Sequence, residues 1–213
     1  MTVLLLGSST PEVVALAAAL GAEVVEVPVV NGGGADWAWA GALESWRDDA
    51  SGGPAADQVV VAPWPAHLGG GSLAEVGVDD WVERAEVQFA LWFAAMGVAA
   101  ARCADGGAVV AVIERPPPLD CAGWAPETGV ADAVEAMTRS LARGEGPRGV
   151  RVNAVTTPLR TTRLPVVDPP PSLATFPGTV EDEVAGAVRM LLGGDASGVT
   201  GTVVHADCGR SWR

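Results

Sequence analysis

Short runs of Val, Leu and Ala alternate along the chain with longer segments whose apolar residues recur at helical spacing, the pattern of a parallel sheet covered by helices on both faces. Residues 2–6 predict a first strand. Thr10 and Pro11 then offer an N-cap and a first helical position for the Ala, Val and Leu residues of 13–20, and Gly21 ends that helix. Strands are expected at 23–27 and 58–62, separated by the glycine-rich 31–34 and a tryptophan-bearing helix over roughly 36–48 that Ser51-Gly52-Gly53-Pro54 breaks. The stretch 81–101 predicts a long helix with Trp81, Ala85, Gln88 and Trp92 on one line and Phe89, Phe93 and Met96 on the next, an apolar face wider than one sheet needs. A strand at 108–113 follows Gly106-Gly107, and the proline-rich 115–126 reads as a rigid loop. Val130, Val134, Met137 and Leu141 mark the next helix and 150–155 a further buried strand. The Pro- and Thr-rich 156–178 reads as an extended connection. Thr179 and Asp182 resemble a capping box for a helix facing the core through Val180, Val184, Val188 and Leu191, and 199–206 closes the sheet.

At 213 residues and 49% hydrophobic, the chain has enough apolar surface for one core, so a single domain over 1–213 is expected. The formal charge of −13 is spread without blocks and leaves no basic stripe for a phosphate backbone, which argues against nucleic acid as a partner. Cys103, Cys121 and Cys208 lack metal-site spacing and read as reduced thiols, while His67 and His205 stand alone, so no metal is expected. The apolar run at the amino end is too short for a signal segment or a membrane span, which points to a cytoplasmic protein with no membrane partner.

Three stretches carry a family resemblance: Val134-Glu135-Ala136-Met137-Thr138-Arg139-Ser140-Leu141-Ala142, Gly149-Val150-Arg151-Val152-Asn153-Ala154-Val155 and Val199-Thr200-Gly201. Together they resemble the short-chain dehydrogenase/reductases, over nearly the whole chain and most strongly from Gly106 onward. The resemblance implies an α/β, Rossmann-like, doubly wound parallel sheet. Only one helix fits between the strands near 27 and 58, and a further parallel strand needs another crossover, so one strand–helix unit of the cofactor-binding half is expected to be missing. In the first βα turn, Gly7-Ser8-Ser9-Thr10-Pro11-Glu12-Val13 puts Pro11 and Val13 where the family has glycines, and Glu12 adds negative charge where a pyrophosphate would lie. Glu26, about twenty residues past Gly7, stands near the place of the family's ribose-binding acid. Val61-Ala62-Pro63-Trp64 replaces an Asn-Asn-Ala-Gly turn, with Trp64 either filling cofactor space or packing as an ordinary tryptophan.

The chain has no tyrosine. The resemblance places Glu127 at the family's catalytic Tyr, Ala131 at its Lys, Glu114 at its Ser and Gln88 at its Asn. A degenerate member without catalytic residues and without a cofactor is the first expectation. In the family, the long helix and the Tyr–Lys helix form a four-helix bundle with a neighbouring subunit. The matching 81–101 and 127–143 keep wide faces, and Gly209-Arg210-Ser211-Trp212 matches a second contact. The implied partner is an active homologous dehydrogenase in a hetero-oligomer, as a tetramer, or a second copy of the chain. The alternative is a repurposed dehydratase, isomerase or lyase with Glu114 and Glu127 as an acid/base pair beside Gln88. A plainer reading leaves both carboxylates solvated on an open cleft, and a third functional reading is an ordinary NAD(P)-dependent dehydrogenase.

Overall fold

The structure, a computed structural model, describes residues 1–29, 38–66, 69–116, 123–161 and 178–209. Six strands form one parallel sheet: β1 (Val3–Gly7), β2 (Glu23–Glu26), β3 (Ala56–Ala62), β4 (Cys103–Glu114), β5 (Arg151–Thr157) and β6 (Val203–His205), in the order β2-β1-β3-β4-β5-β6. The apolar runs of β1, β3, β4 and β5 are buried because helices cover both faces, which is why these strands show no polar alternation. One layer holds α1 (Pro11–Leu20) and α6 (Ala185–Leu192), and the other holds α2 (Ala38–Ser51), α4 (Gln88–Arg102) and α5 (Ala125–Glu145). A short α3 (Val78–Trp81) leads through the wide π-helical stretch Val82–Val87 into α4, so the long helix expected over 81–101 is present with a widened amino-terminal end.

In the Rossmann order 3-2-1-4-5-6 a further strand lies outside the second, whereas here the sheet keeps six strands by extending at its other edge with β6. Here, among the described residues, β2 is the edge and α2 returns straight to β3, which agrees with the loss of one strand–helix unit on that side. The strand order reverses between β1 and β3, so the crevice at their carboxyl ends is where such a sheet takes ligands.

Arginines close the helix ends. Buried Arg102 donates to the carbonyls of Ala50 and Pro54 at the end of α2, at 3.0 and 2.6 Å, and Arg151 does the same for Leu191 and Leu192 at the end of α6. The Arg102 guanidinium lies against Gly53, where a Cβ would press on it. At its other end, the π-helical stretch Val180–Val184 that leads into α6 is capped as expected, Thr179 Oγ1 accepting from the Asp182 N–H at 3.3 Å.

The last strand is shorter than expected. Residues 199–202 follow an irregular path beside β5 instead: the Gly201 N–H donates to the Val152 carbonyl at 2.7 Å, buried Asn153 donates to the Val199 carbonyl at 2.8 Å and accepts from the Thr202 N–H at 3.1 Å, and Gly201 has φ +72°. The sequence expectations for 31–34, His67, Cys121, the Pro117-Pro118 part of the rigid loop, most of the 156–178 connection and the Arg210-Ser211-Trp212 tail fall outside the described residues.

Candidate functional site

A cavity of about 200 Å³ opens at the carboxyl edge of the sheet between β3, β4, α4 and α5. Trp64, Leu91, Trp92, Ile113 and Val130 supply its apolar walls, while Glu83, Arg84, Gln88, Glu114, Glu127 and Thr161 supply the polar ones. Three of the four predicted positions therefore meet there. Gln88 opens α4, Glu114 ends β4, and Glu127 lies in the first turn of α5. Ala131 does not join them: one turn further along α5, it is fully buried in the core.

The two carboxylates are not solvated, contrary to the plainer expectation. Glu114 is 7% exposed and grips Arg160 in a fork, Arg160 Nε donating to Oε1 at 2.8 Å and Nη2 to Oε2. Glu127 is 12% exposed and does the same with Arg84, at 2.8 and 2.9 Å. Such bidentate pairs are the strongest geometry for an arginine and a carboxylate. They form because a buried carboxylate without a partner is expensive, and each arginine comes from a different element to meet it. Burial pushes the Glu114 carboxyl up from its ordinary value, opposed first by the hydrogen bonds and then by the charge of Arg160, while Glu12 and Glu127 add to the rise.

Arg84 and Arg160 are the residues that sequence reasoning missed. Arg84 sits four residues before Gln88 on the helix lining the cavity, a spacing that signals a shared face. Arg160 carried no signal, being one arginine in a Pro- and Thr-rich connection. It also donates to the Pro65 carbonyl at 2.7 Å and lies over the Trp64 ring, 5.3 Å from its centroid. Gln88 is the unfinished part of the wall: its Oε1 is buried without a hydrogen-bond partner.

The dinucleotide side of the crevice is closed by the chain's own groups. Val13 packs so tightly that a Cβ on Gly7 would lie 2.6 Å from Val13 Cγ1, and so Gly7 serves helix packing rather than the approach of a phosphate. Ser8 Oγ donates to the Trp64 carbonyl. Ser9 Oγ donates to Glu26 Oε1, occupying the acid that resembled a ribose ligand. Trp64 is buried and donates from Nε1 to the Val112 carbonyl at 2.7 Å, tying the end of β3 to β4. Pro11 removes an N–H from the helix start, where a pyrophosphate would need one, and Glu12 brings a carboxylate into the first turn. These residues do not fit a bound dinucleotide.

On the outer side of the same two helices lies a shallow apolar groove formed by Trp81, Ala85, Phe89, Pro126, Gly129 and Ala133. Phe89 and Phe93 are 46% and 55% exposed, and Arg47 of α2 lies over the Phe93 ring at 5.2 Å. Among the described residues, no group of three or more His, Cys, Asp or Glu side chains could hold a metal ion, and no helix is long and apolar enough to cross a membrane. Of the two described cysteines, Cys103 is pushed up to about 11, first by burial, and Cys208 to about 12, first by desolvation and then by its hydrogen bond to Glu183.

The doubly wound sheet and the position of the cavity at its carboxyl edge define the class, and sequence comparison supplies the family. Residues 7–211 match the model of the enoyl-(acyl carrier protein) reductase family, and the chain belongs to that family of short-chain dehydrogenase/reductases. A curated relative, the NADH-dependent enoyl-[acyl-carrier-protein] reductase of Rickettsia bellii, is 40% identical over 91 residues, a match covering 38% of this chain and 35% of that protein. Among solved structures, a doubly substituted variant of a Serratia marcescens short-chain dehydrogenase/reductase is 25% identical with a TM-score of 0.73, covering 99% of this chain and 97% of that one. BdcA in complex with NADPH is 24% identical with a TM-score of 0.65, covering 97% and 92%, and shares the fold.

Proposed function

We propose that the chain is a catalytically silent, dehydrogenase-like subunit that assembles in the cytoplasm with an active NAD(P)-dependent relative in a heteromeric oxidoreductase, as a mixed tetramer. One observation carries this reading. The side chains at the two reactive positions, Glu114 and Glu127, are each held by both oxygens to an arginine. A carboxylate held in that way is a poor proton donor to a carbonyl, and no tyrosine exists elsewhere in the chain to take its place. The closed first turn supports the same reading, since a subunit that binds no dinucleotide leaves hydride transfer to its partner. The exposed aromatic residues of α4 supply a surface for assembly.

The test is co-production with an active dehydrogenase encoded beside it. A mixed complex should purify, with every catalytic and cofactor site on the partner, and activity should fall when this chain is omitted. Titration calorimetry of the chain alone with NADH and NADPH should show no saturable heat at concentrations that saturate active relatives. A chain that purifies alone as a monomer, or that binds either dinucleotide tightly, would sink the reading. A second copy of the chain is the other partner this surface suits, and the stoichiometry of the purified complex separates the two.

The alternative of a repurposed dehydratase, isomerase or lyase with Glu114 and Glu127 as its acid/base pair draws on one observation: both carboxylates line the cavity that Gln88 also lines, and burial pushes the Glu114 carboxyl up. For it to act, the Arg160 fork must open when substrate binds. Activity of the native assembly that vanishes in Glu114→Gln, with assembly intact, would establish it.

A further inference from the structure

Arg160 reaches across three strand ends. It follows β5, its Nε and Nη2 hold the two oxygens of Glu114 at the end of β4, and its Nη1 donates to the Pro65 carbonyl beyond β3 at 2.7 Å, with the guanidinium lying over the Trp64 ring. The neighbouring hydroxyls of Thr157 and Thr161 bond within their own segment, to the Leu159 N–H and the Pro158 carbonyl, so among these polar side chains Arg160 makes the crossing. We propose that Arg160 and Glu114 form an acid-released latch: one proton on Glu114 frees the guanidinium, and the segment after β5 lets go of Pro65 and Trp64. Leu159 stays buried in the core, so release loosens this edge of the crevice without unfolding β5.

Charge decides which partner moves. Among the described residues, four carboxylates and two guanidiniums meet around this point: Glu12 from α1, Glu83 and Arg84 from the π-helical stretch, Glu127 from α5, and the Glu114–Arg160 pair itself. Arg115, the next residue along, is drawn away to Asp132 and Glu135. With Arg84 forked to Glu127 and Arg160 to Glu114, negative charge is in excess, which favours uptake of a proton. Burial favours it further, pushing the Glu114 carboxyl up against the opposing bonds and charge of Arg160, and Glu12 and Glu127 add to the rise. Solvent supplies the proton through the cavity that Glu114 lines. A neutral carboxyl turns one of its oxygens into a donor, so the two-point fork is lost. Arginine cannot shed its own proton. Left as a buried cation without a counter-ion, Arg160 moves to water. The coupling is reciprocal: whatever factor Arg160 takes from the proton affinity of Glu114, the proton takes from the hold on Arg160.

The full chain, labelled with nitrogen-15, is titrated from about pH 8 to about pH 5.5, above its isoelectric point of about 4.4, and the Nε–H signals of its arginines are followed by NMR. Arg160→Lys assigns the Arg160 signal. Arg102, whose Nε donates to the Pro54 carbonyl at 2.6 Å, is the reference, because a carbonyl does not titrate. At the alkaline end the Arg160 Nε–H should exchange slowly with water. Toward the acid end it should take the shift of free arginine and exchange about tenfold faster relative to Arg102. Glu114→Gln, whose side chain is neutral throughout, should show the free signal at every pH. Glu12→Gln removes one negative neighbour and should move the transition to lower pH. Histidine ordinarily changes charge over the same range, and His205 bonds Thr156 beside this segment, so the double variant His67→Asn with His205→Asn is the control, in which the transition should persist. Should a variant fail to fold, the wild-type titration against Arg102 decides alone. An Arg160 signal unmoved over the range, a transition that survives Glu114→Gln, ignores Glu12→Gln or vanishes with the histidines, or an Arg102 signal that moves with it would each overturn the proposal. None of these outcomes touches co-purification with a dehydrogenase, so the two readings fall separately.

Discussion

Around the ends of β1 and β2 the chain consumes its own hydrogen-bonding groups. Ser8 reaches the Trp64 carbonyl, Ser9 reaches Glu26, and Val13 packs against Gly7, leaving little for a ligand. At the end of β4 and the start of α5, a cavity remains open although its polar side chains are also engaged. The difference lies in depth. The Ser9–Glu26 bond is exposed, whereas the Arg160–Glu114 fork is buried on both sides. A surface contact is cheap to make and cheap to lose, but a buried ion pair is expensive to break, so the second region is held in shape more firmly than the first.

The largest effect is expected there. Arg160→Met leaves Glu114 buried and unpaired and should cost about 3–5 kcal/mol. For a chain of this length that is a fall in melting temperature of roughly 6–20 °C. The double change Arg160→Met with Glu114→Leu should recover most of that loss, because a buried pair is often replaced by apolar groups at little net cost. Glu26→Gln, the matching change in the first region, should stay within about 0.5 kcal/mol. Thermal melts of all four proteins decide it, and a Glu26→Gln loss equal to that of Arg160→Met would erase the contrast between the regions.

The sheet and most helices were legible because buried parallel strands need unbroken apolar runs, and β1, β3, β4 and β5 have them. The missing unit was legible from the short spacing between two expected strands set against the family resemblance, and among the described residues β2 is followed by α2 and then β3. The ion pairs were not. Arg84 and Glu127 are 43 residues apart and Arg160 and Glu114 are 46 apart, and nothing local distinguishes a charge destined for burial from one destined for solvent. Glu114 and Glu127 were located by family resemblance, but their pairing depends on how α5 and the residues after β5 fold back over the sheet. The last strand was over-extended for a similar reason: Val199 looks strand-like, yet a buried Asn153 side chain on the neighbouring strand holds 199–202 in an irregular path beside it.

The next effect concerns the outer face shared by α4 and α5. Phe93 is more than half exposed and lies under Arg47, so Phe93→Asp should leave the fold intact. If this face is the assembly surface, a carboxylate there loses an aromatic anchor and buries an unpaired charge on association. That should weaken assembly by about 2 kcal/mol, roughly thirtyfold in Kd. Met137→Asp, on the half-buried side of α5, should weaken it too, with some loss of fold stability because Met137 also packs on the core. Sedimentation at several concentrations reads both effects. An unchanged association constant in Phe93→Asp would remove α4 from the interface.

The smallest effect separates two threonines that look alike in sequence. Both Thr10 and Thr179 precede helical stretches with extended backbone, the geometry of an N-cap. Thr179 caps: its hydroxyl oxygen accepts from the Asp182 N–H. Thr10 does not, and its Oγ1 is buried without a partner, in the same turn where Pro11 has replaced an N–H donor. Thr179→Ala should therefore cost about 1 kcal/mol, a fall in melting temperature of roughly 2–4 °C. Thr10→Val keeps the shape, removes an unsatisfied buried hydroxyl, and should leave stability unchanged or slightly higher. A loss at Thr10 equal to that at Thr179 would mean that the Thr10 hydroxyl has a partner in solution. The first turn would then hold a group at its helix N-terminus after all, and the claim that this half of the crevice is closed would have to be withdrawn.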